Sequence, residues 1–171
     1  MLIDRLFMPD HCWNDIYEIT PAFLLDRGIR AVLLDIDNTL VTYDDPEPTP
    51  TVTEWLAALQ KADIGIAFIS NNGKERVEAF NRSLGFFATW DSKKPSGKCY
   101  RAAMAALGTD PSSTAVIGDQ IFTDVWSAKR LGLLALLVKP IKDKRSLFFR
   151  CKRLLEKPIL RRYRKKKGLK K

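Results

Sequence analysis

Between residues 30 and 138 short apolar runs alternate with longer stretches whose apolar residues recur every third or fourth position. The runs are Ala31 to Leu34, Ile64 to Ile69, Thr114 to Ile117 and Leu133 to Val138, with Phe86 to Thr89 as a weaker one. Their length and Val/Ile content suit strands buried on both faces. Between them, Val52 to Ala62 carries Trp55, Leu56 and Leu59 at helical spacing, and Glu75 to Leu84 carries Val77, Phe80 and Leu84. Tyr100 to Leu107 is rich in alanine, a good helix former, and Gly132 can stop a short helix over Thr123 to Leu131 in a left-handed conformation. Regular alternation of strand and helix predicts a parallel sheet covered on both faces. The expected architecture is an α/β, Rossmann-like three-layer sandwich around five parallel strands. No internal repeat is visible. Residues 44–50, DDPEPTP, form a loop directly after the first strand. Such loops line ligand sites in parallel sheets, so this one is either a rim or a plain connector.

Length and composition narrow the function classes. The 171 residues suit one domain, and 46% hydrophobic content is enough for a folded core. The longest apolar run, Leu131 to Val138, is far too short to span a bilayer. No basic leader with an apolar stretch and cleavage site opens the chain, so a cytoplasmic location is expected. Cys12, Cys99 and Cys151 are scattered without metal-ligand spacing, which fits a reducing compartment. His11 is the only histidine, which disfavours serine–histidine triads and multi-histidine zinc sites. We read it as structural or exposed.

Four motifs fall at the carboxyl ends of predicted strands. In AVLLDIDNTL (31–40) a buried strand ends in Asp35 and Asp37, followed by Thr39. Two acids there are costly unless a cation or donors compensate, and magnesium is the natural hard cation for carboxylate oxygens. The bland alternative is an acidic turn capping the next element. In IAFISNNG (66–73) Ser70, Asn71 and Asn72 precede a helix start, where a hydroxyl and free N–H groups can bind an anion. The same residues are also ordinary loop and cap residues. KKPSGK (93–98) offers a lysine to phosphate, or is a solvated basic turn; it is not a P-loop. AVIGDQIFTDV (115–125) again ends a strand in acids, Asp119 and Asp124.

The order acid pair, hydroxyl, lysine, acid pair resembles the motif set of the haloacid dehalogenase (HAD) superfamily. DIDNTL, SNN, KP at 94–95 and GDQIFTDV resemble most closely its YqeG-type subclass III phosphatases, over residues 1 to about 140. SAKRLG at 127–132 departs slightly from the family wording without touching a catalytic position. The resemblance implies that Asp35 is the nucleophile and Asp37 the general acid and base. It implies that Thr39, Ser70, Asn71 and Lys94 hold the phosphoryl group, with Lys93 the runner-up to Lys94. It implies Mg²⁺ held by Asp35, Asp37 (through its carbonyl), Asp119 and Asp124, the last acting through water or by orienting Lys94. Members of this branch are similar to phosphatidylglycerophosphate phosphatases of phospholipid biosynthesis.

The 35 positions from Asp35 to Ser70 and the 24 from Ser70 to Lys94 leave no room for a cap domain. An open site biases the substrate towards a large or membrane-borne phosphate ester, without excluding a small soluble one. Charge divides the chain at about residue 140. Residues 139–171 hold 16 Lys and Arg against 2 acids, whereas the preceding residues hold 13 basic and 18 acidic. We therefore divide it into a phosphatase domain, 1–140, and a basic amphipathic tail, 141–171. Leu147, Phe148, Cys151, Leu154 and Leu155 share one helical face with basic residues around it, a pattern that suits an anionic membrane surface. RNA or a ribosome is the rival partner, a retained HAD fold acting only as a binding module the rival function, and docking on the chain's own domain the bland alternative for the tail.

Overall fold

The structure is a computed structural model that describes residues 2–142 and 147–168. The elements run α1 (Leu2–Phe7), β1 (His11–Trp13), α2 (Pro21–Leu25), β2 (Ala31–Leu34), α3 (Pro50–Lys61), β3 (Gly65–Ile69), α4 (Lys74–Asn81), β4 (Phe87–Thr89), α5 (Lys98–Leu107), β5 (Thr114–Gly118), α6 (Trp126–Leu131), β6 (Leu134–Val138) and α7 (Leu147–Lys166). All pairings are parallel, in the order β1-β6-β5-β2-β3-β4. The α/β sandwich is as expected, with six strands instead of five. The added strand is β1, whose His11 pairs with Leu136 and Trp13 with Val138. Three residues with no alternation carry no strand signal of their own; pairing to the edge of β6 makes them one.

Two apolar clusters sandwich the sheet. One joins Val32, Leu34 and Phe68 to Trp55, Leu56, Leu59, Val77 and Phe80 of α3 and α4. The other joins Leu33, Ala67 and Val116 to Tyr100, Ala103 and Met104 of α5 and to Ala128 of α6. α3 begins at Thr49, whose hydroxyl accepts from Val52 N, with Pro50 in the first turn where its missing N–H costs nothing. The stretch expected as helix from Thr123 opens instead with a π-helical turn, Ile121–Val125, before α6. Such widened turns are frequent at functional sites, and this one carries Asp124. Between Asp35 and Ser70 lie only a loop, α3 and β3, and between Ser70 and Lys94 only α4 and β4, so neither interval holds a cap.

The C-terminal helix packs on the body through Ile159 and Tyr163, 7% and 5% exposed, with Glu156 buried beside them. Tyr163 Oη accepts from Cys12 N at 3.1 Å and Glu156 Oε1 from Ile121 N at 2.9 Å. Leu154 and Leu155, at 58% and 64%, face solvent. The side chains of Leu147, Phe148 and Cys151, the rest of the expected apolar face, lie outside the described residues. Among the described residues no helix is long and apolar enough to cross a membrane. His11 is half-buried and edge-on to Phe23, 5.1 Å between ring centroids, a structural placement.

Candidate active site

Chain order turns one way from β2 to β3 and β4 and the other way to β5 and β6, so the sheet reverses between β2 and β5. Ligands bind at such a point, outside the carboxyl ends of the strands. Asp35 follows β2 and donates its N–H to Ile117 O of β5 at 3.0 Å, which brings it beside Gly118 and Asp119 across 84 residues of sequence. The chain then folds back on itself: Leu40 N reaches Ile36 O at 2.9 Å, and Asn38 takes φ 74°. Asparagine tolerates that left-handed conformation better than most residues. Its side chain is locked by a reciprocal pair with Lys142, Nδ2 to O at 2.7 Å and N to Oδ1 at 2.9 Å, fastening the segment after β6 to this loop.

Carboxylate oxygens of Asp35, Asp119 and Asp124 lie within 4.8 Å of one another, all three residues buried. Octahedral Mg²⁺ ligation at ~2.0–2.1 Å puts opposite oxygens roughly 4.2 Å apart, so small side-chain rotations suffice. Oxygen donors alone, three of them acidic, fit a hard dication. Asp124 reaches the cluster only because residue 118 is glycine: a Cβ there would stand 2.3 Å from Asp124 Cγ. Gln120 N and Thr123 Oγ1 both donate to Asp124 Oδ2, each at 3.2 Å.

Lys94 is the ammonium of the site. Its Nζ donates to Asp35 Oδ1 at 2.5 Å and Asp124 Oδ1 at 2.7 Å, whereas Lys93 is exposed. The loop delivering it is tied to the end of β3, Ser92 N to Ser70 O at 3.0 Å and Lys94 N to Asn71 Oδ1 at 2.8 Å. Burial pulls the Lys94 pKa down, but Asp124 and Asp35 more than offset it, and the ammonium is held well above its ordinary value. Burial pushes the Asp35 carboxyl up to about 8, Lys94 opposing and Asp124 and Asp119 adding to the rise. Three acids against one ammonium exceed the positive charge of the site, so Asp35 keeps its proton until a dication takes its place.

The remaining expected residues surround this centre. Thr39 Oγ1 donates to Asp35 Oδ2 at 3.0 Å, so its hydroxyl orients that carboxylate. Ser70, 1% exposed, accepts from Asn72 N at 3.0 Å. Asn71 is exposed and acts through the Lys94 backbone. The Asp37 carboxylate stands outside the three-acid cluster. It is gripped by a residue the sequence did not single out, Arg76 of α4, with Nε at 3.0 Å and Nη2 at 2.9 Å from Oδ1. Asn72 Nδ2 holds Oδ2 at 2.5 Å. Arg76 also donates to Pro46 O at 3.0 Å, so the 44–50 loop rims the site through it. The only sequence signal was a basic residue on an amphipathic helix, indistinguishable from a solvated one.

Residues 22–132 match the haloacid dehalogenase-like hydrolase family. The chain is 33% identical over 159 residues to a Bacillus subtilis (strain 168) protein called probable phosphatase YqeG, covering 93% of this chain and 92% of that one. It is 28% identical over 147 residues to the chloroplastic phosphatidylglycerophosphate phosphatase 1 of Chlamydomonas reinhardtii, covering 80% of this chain and 54% of that one. The fold resembles CbbY of Rhodobacter sphaeroides in complex with phosphate, with a TM-score of 0.53 at 17% identity over 68% of this chain and 88% of that one. With its acids and lysine gathered where the strands end, the chain belongs to the haloacid dehalogenase-like hydrolases and is a phosphatase, a hydrolase of phosphoric monoesters.

Proposed function

We propose that the protein is a magnesium-dependent phosphatase that works through an aspartyl phosphate on Asp35 and acts on a membrane-borne phosphomonoester. The observation that carries this reading is the meeting of Asp35, Asp119 and Asp124, with the Lys94 ammonium paired to Asp35 and Asp124. Asp35, Asp119 and Asp124, with the Asp37 carbonyl, would hold the metal, which when bound shields phosphate charge and offsets the cost of three buried acids. An Asp35 oxygen attacks phosphorus, the bond to the ester oxygen breaks, and that oxygen takes a proton from Asp37. Asp37 then removes a proton from water, which attacks phosphorus; phosphate leaves and the Asp35 carboxylate is restored. Lys94, Ser70 and the backbone after it stabilise the transferring oxygens, where charge accumulates. Arg76 and Asn72 are positioning residues that hold Asp37 for both proton transfers.

Residues 1–140 form the catalytic body in this reading, and 141–171 hold it to an anionic surface. Support comes from the exposed Leu154 and Leu155 beside Lys157 and Arg161, an apolar and basic outer face of α7. Similarity to a phosphatidylglycerophosphate phosphatase supports a lipid substrate. The test is phosphate release from p-nitrophenyl phosphate and from phosphatidylglycerophosphate in vesicles, with Mg²⁺ or EDTA. Both should be hydrolysed with Mg²⁺ only, and Asp35→Asn should be folded and inactive. An active Asp35→Asn variant would refute the aspartyl phosphate, and hydrolysis of the soluble ester alone would refute the lipid substrate.

A further inference from the structure

Helix α7 carries one acid among its 20 residues, Glu156, and turns it inward. The side chain is 2% exposed, although the helix around it is strongly basic. A buried carboxylate is costly unless donors are directed at it. A helix that needed only a seat would find one in Ile159 and Tyr163. The donor here is the backbone N–H of Ile121, 2.9 Å from Glu156 Oε1 and 35 residues away in sequence.

Ile121 opens the π-helical turn Ile121–Val125, which holds Asp124. The first N–H groups of a helical turn have no partner within it, and a carboxylate can supply one. Asp119 and Gln120 link this turn to the end of β5. Gly118, at the near end of the link, is fixed by its pairing with Leu137 of β6. The far end is the N–H that Glu156 holds. Asp119 therefore stands in a short link anchored on both sides. Gln120 and Thr123, which bond Asp124, belong to the same segment and move with it, whereas Glu156 ties that segment to another element. Ile121 and Ile159 share one apolar cluster, and Glu156 and Asp119 line the same cavity under α7.

We propose, resting on the magnesium reading above, that Glu156 is a positioning residue for the metal site. Through the Ile121 N–H it fixes the link that places Asp119 and the turn that places Asp124. Helix α7 thus completes a site whose acids all lie on the strand ends and turns before it. The hydrogen bond carries this role, and the charge of Glu156 does not.

The test titrates the EDTA-treated full chain with Mn²⁺, which takes the same oxygen ligands as Mg²⁺ and is counted by the paramagnetic resonance of the free ion. Glu156→Gln keeps an acceptor at the same reach without the charge. Glu156→Asp keeps the charge and falls short by a methylene. Ile159→Ala loosens the seat of α7 without touching the bond. Glu156→Ala and Glu156→Asp should bind Mn²⁺ about tenfold or more weakly, the usual effect of removing a residue that holds a ligand in place. They should need correspondingly more Mg²⁺ for half-maximal hydrolysis of p-nitrophenyl phosphate. Glu156→Gln and Ile159→Ala should bind Mn²⁺ as the wild type does, although Ile159→Ala unfolds earlier. If Glu156→Ala does not fold, the contrast between the Asp and Gln variants carries the same test. Wild-type affinity in Glu156→Ala or Glu156→Asp overturns the proposal, and so does a Gln variant as weak as Asp. An equal loss in Ile159→Ala overturns it too, since the seat as a whole would then be responsible. A wild type that needs Mg²⁺ for turnover, with Mn²⁺ affinity unchanged in the Glu156 variants, sinks the positioning role alone. A wild type that binds no Mn²⁺ sinks the magnesium reading with it.

Discussion

Asp37 is held from two sides, by Arg76 on one carboxylate oxygen and Asn72 on the other. A proton shuttle loses efficiency when its carboxylate wanders, and general acid–base catalysis is worth roughly 10²–10⁴ in rate. Arg76→Ala should therefore lower kcat by about tenfold or more with a much smaller change in KM, since Arg76 touches Asp37 and the 44–50 loop. Arg76→Lys, which can keep one contact, should recover part of it; a change confined to KM would refute the positioning role. Asp35 sets the behaviour towards pH. Its carboxyl binds a proton more tightly in the folded chain than the ordinary value of 3.8 allows, being pushed up to about 8. The folded state thus holds more protons than the unfolded one, and Asp35's contribution to stability falls as pH rises through that window. A dication in the cluster replaces the proton. The rise in Tm on adding Mg²⁺ to EDTA-treated protein should be larger at pH 8 than at pH 5, and an equal rise at both would contradict this account.

Helix α7 shows how one element can serve two surfaces. Its inner positions, Glu156, Ile159 and Tyr163, recur at three and four residues and seat on the body, while Leu154 and Leu155 are more than half exposed. Ile159 belongs to the same apolar cluster as Val116, Val125 and Leu137. Ile159→Ala should destabilise the protein by about 2 kcal/mol or more, the usual cost of truncating a buried isoleucine, read as a shift in the denaturant midpoint. A loss within about 0.5 kcal/mol would mean that the seat is dispensable, as surface positions usually are. β1 belongs to the same scale. It has no strand pattern, yet it forms an edge of the sheet, and its Cys12 N–H is bonded by Tyr163 of α7. Burial pushes the Cys12 thiol up to about 11, so it serves as a packing group here, in line with its scattered place in the sequence.

For the whole molecule the question is what the excess positive charge of residues 139–171 meets. Cutting the chain after Pro140 is a poor test, because it uncovers the seats of Ile159 and Tyr163 together with the charge. Leu154→Ser with Leu155→Ser is the cleaner change, since both side chains are more than half exposed. This double variant should keep wild-type Tm and hydrolysis of p-nitrophenyl phosphate while co-sedimenting more weakly with vesicles containing anionic lipid. Raising salt should weaken wild-type binding further, because exposed charges are screened beyond about 8–10 Å at physiological ionic strength. Undiminished co-sedimentation of the variant would remove apolar insertion from the picture and leave charge alone, the behaviour that also fits RNA.

The alternation of apolar runs and amphipathic stretches was enough to determine the layered parallel sheet, because strand and helix periods are local properties of the chain. It was enough also to put Asp35, Ser70, Lys94 and Asp119 at one edge, since each follows or closely trails a strand and parallel strands end together. Choosing Lys94 over Lys93 by geometry needed the tertiary structure, because adjacent residues differ only in which way the loop turns them. The grip of Arg76 on Asp37, the glycine at 118 that admits Asp124, the strand at His11–Trp13 and the seat of α7 were likewise decided in three dimensions. Each depends on a contact between segments 35 or more residues apart, or on the space beside a backbone atom, and periodicity within one segment carries no record of either.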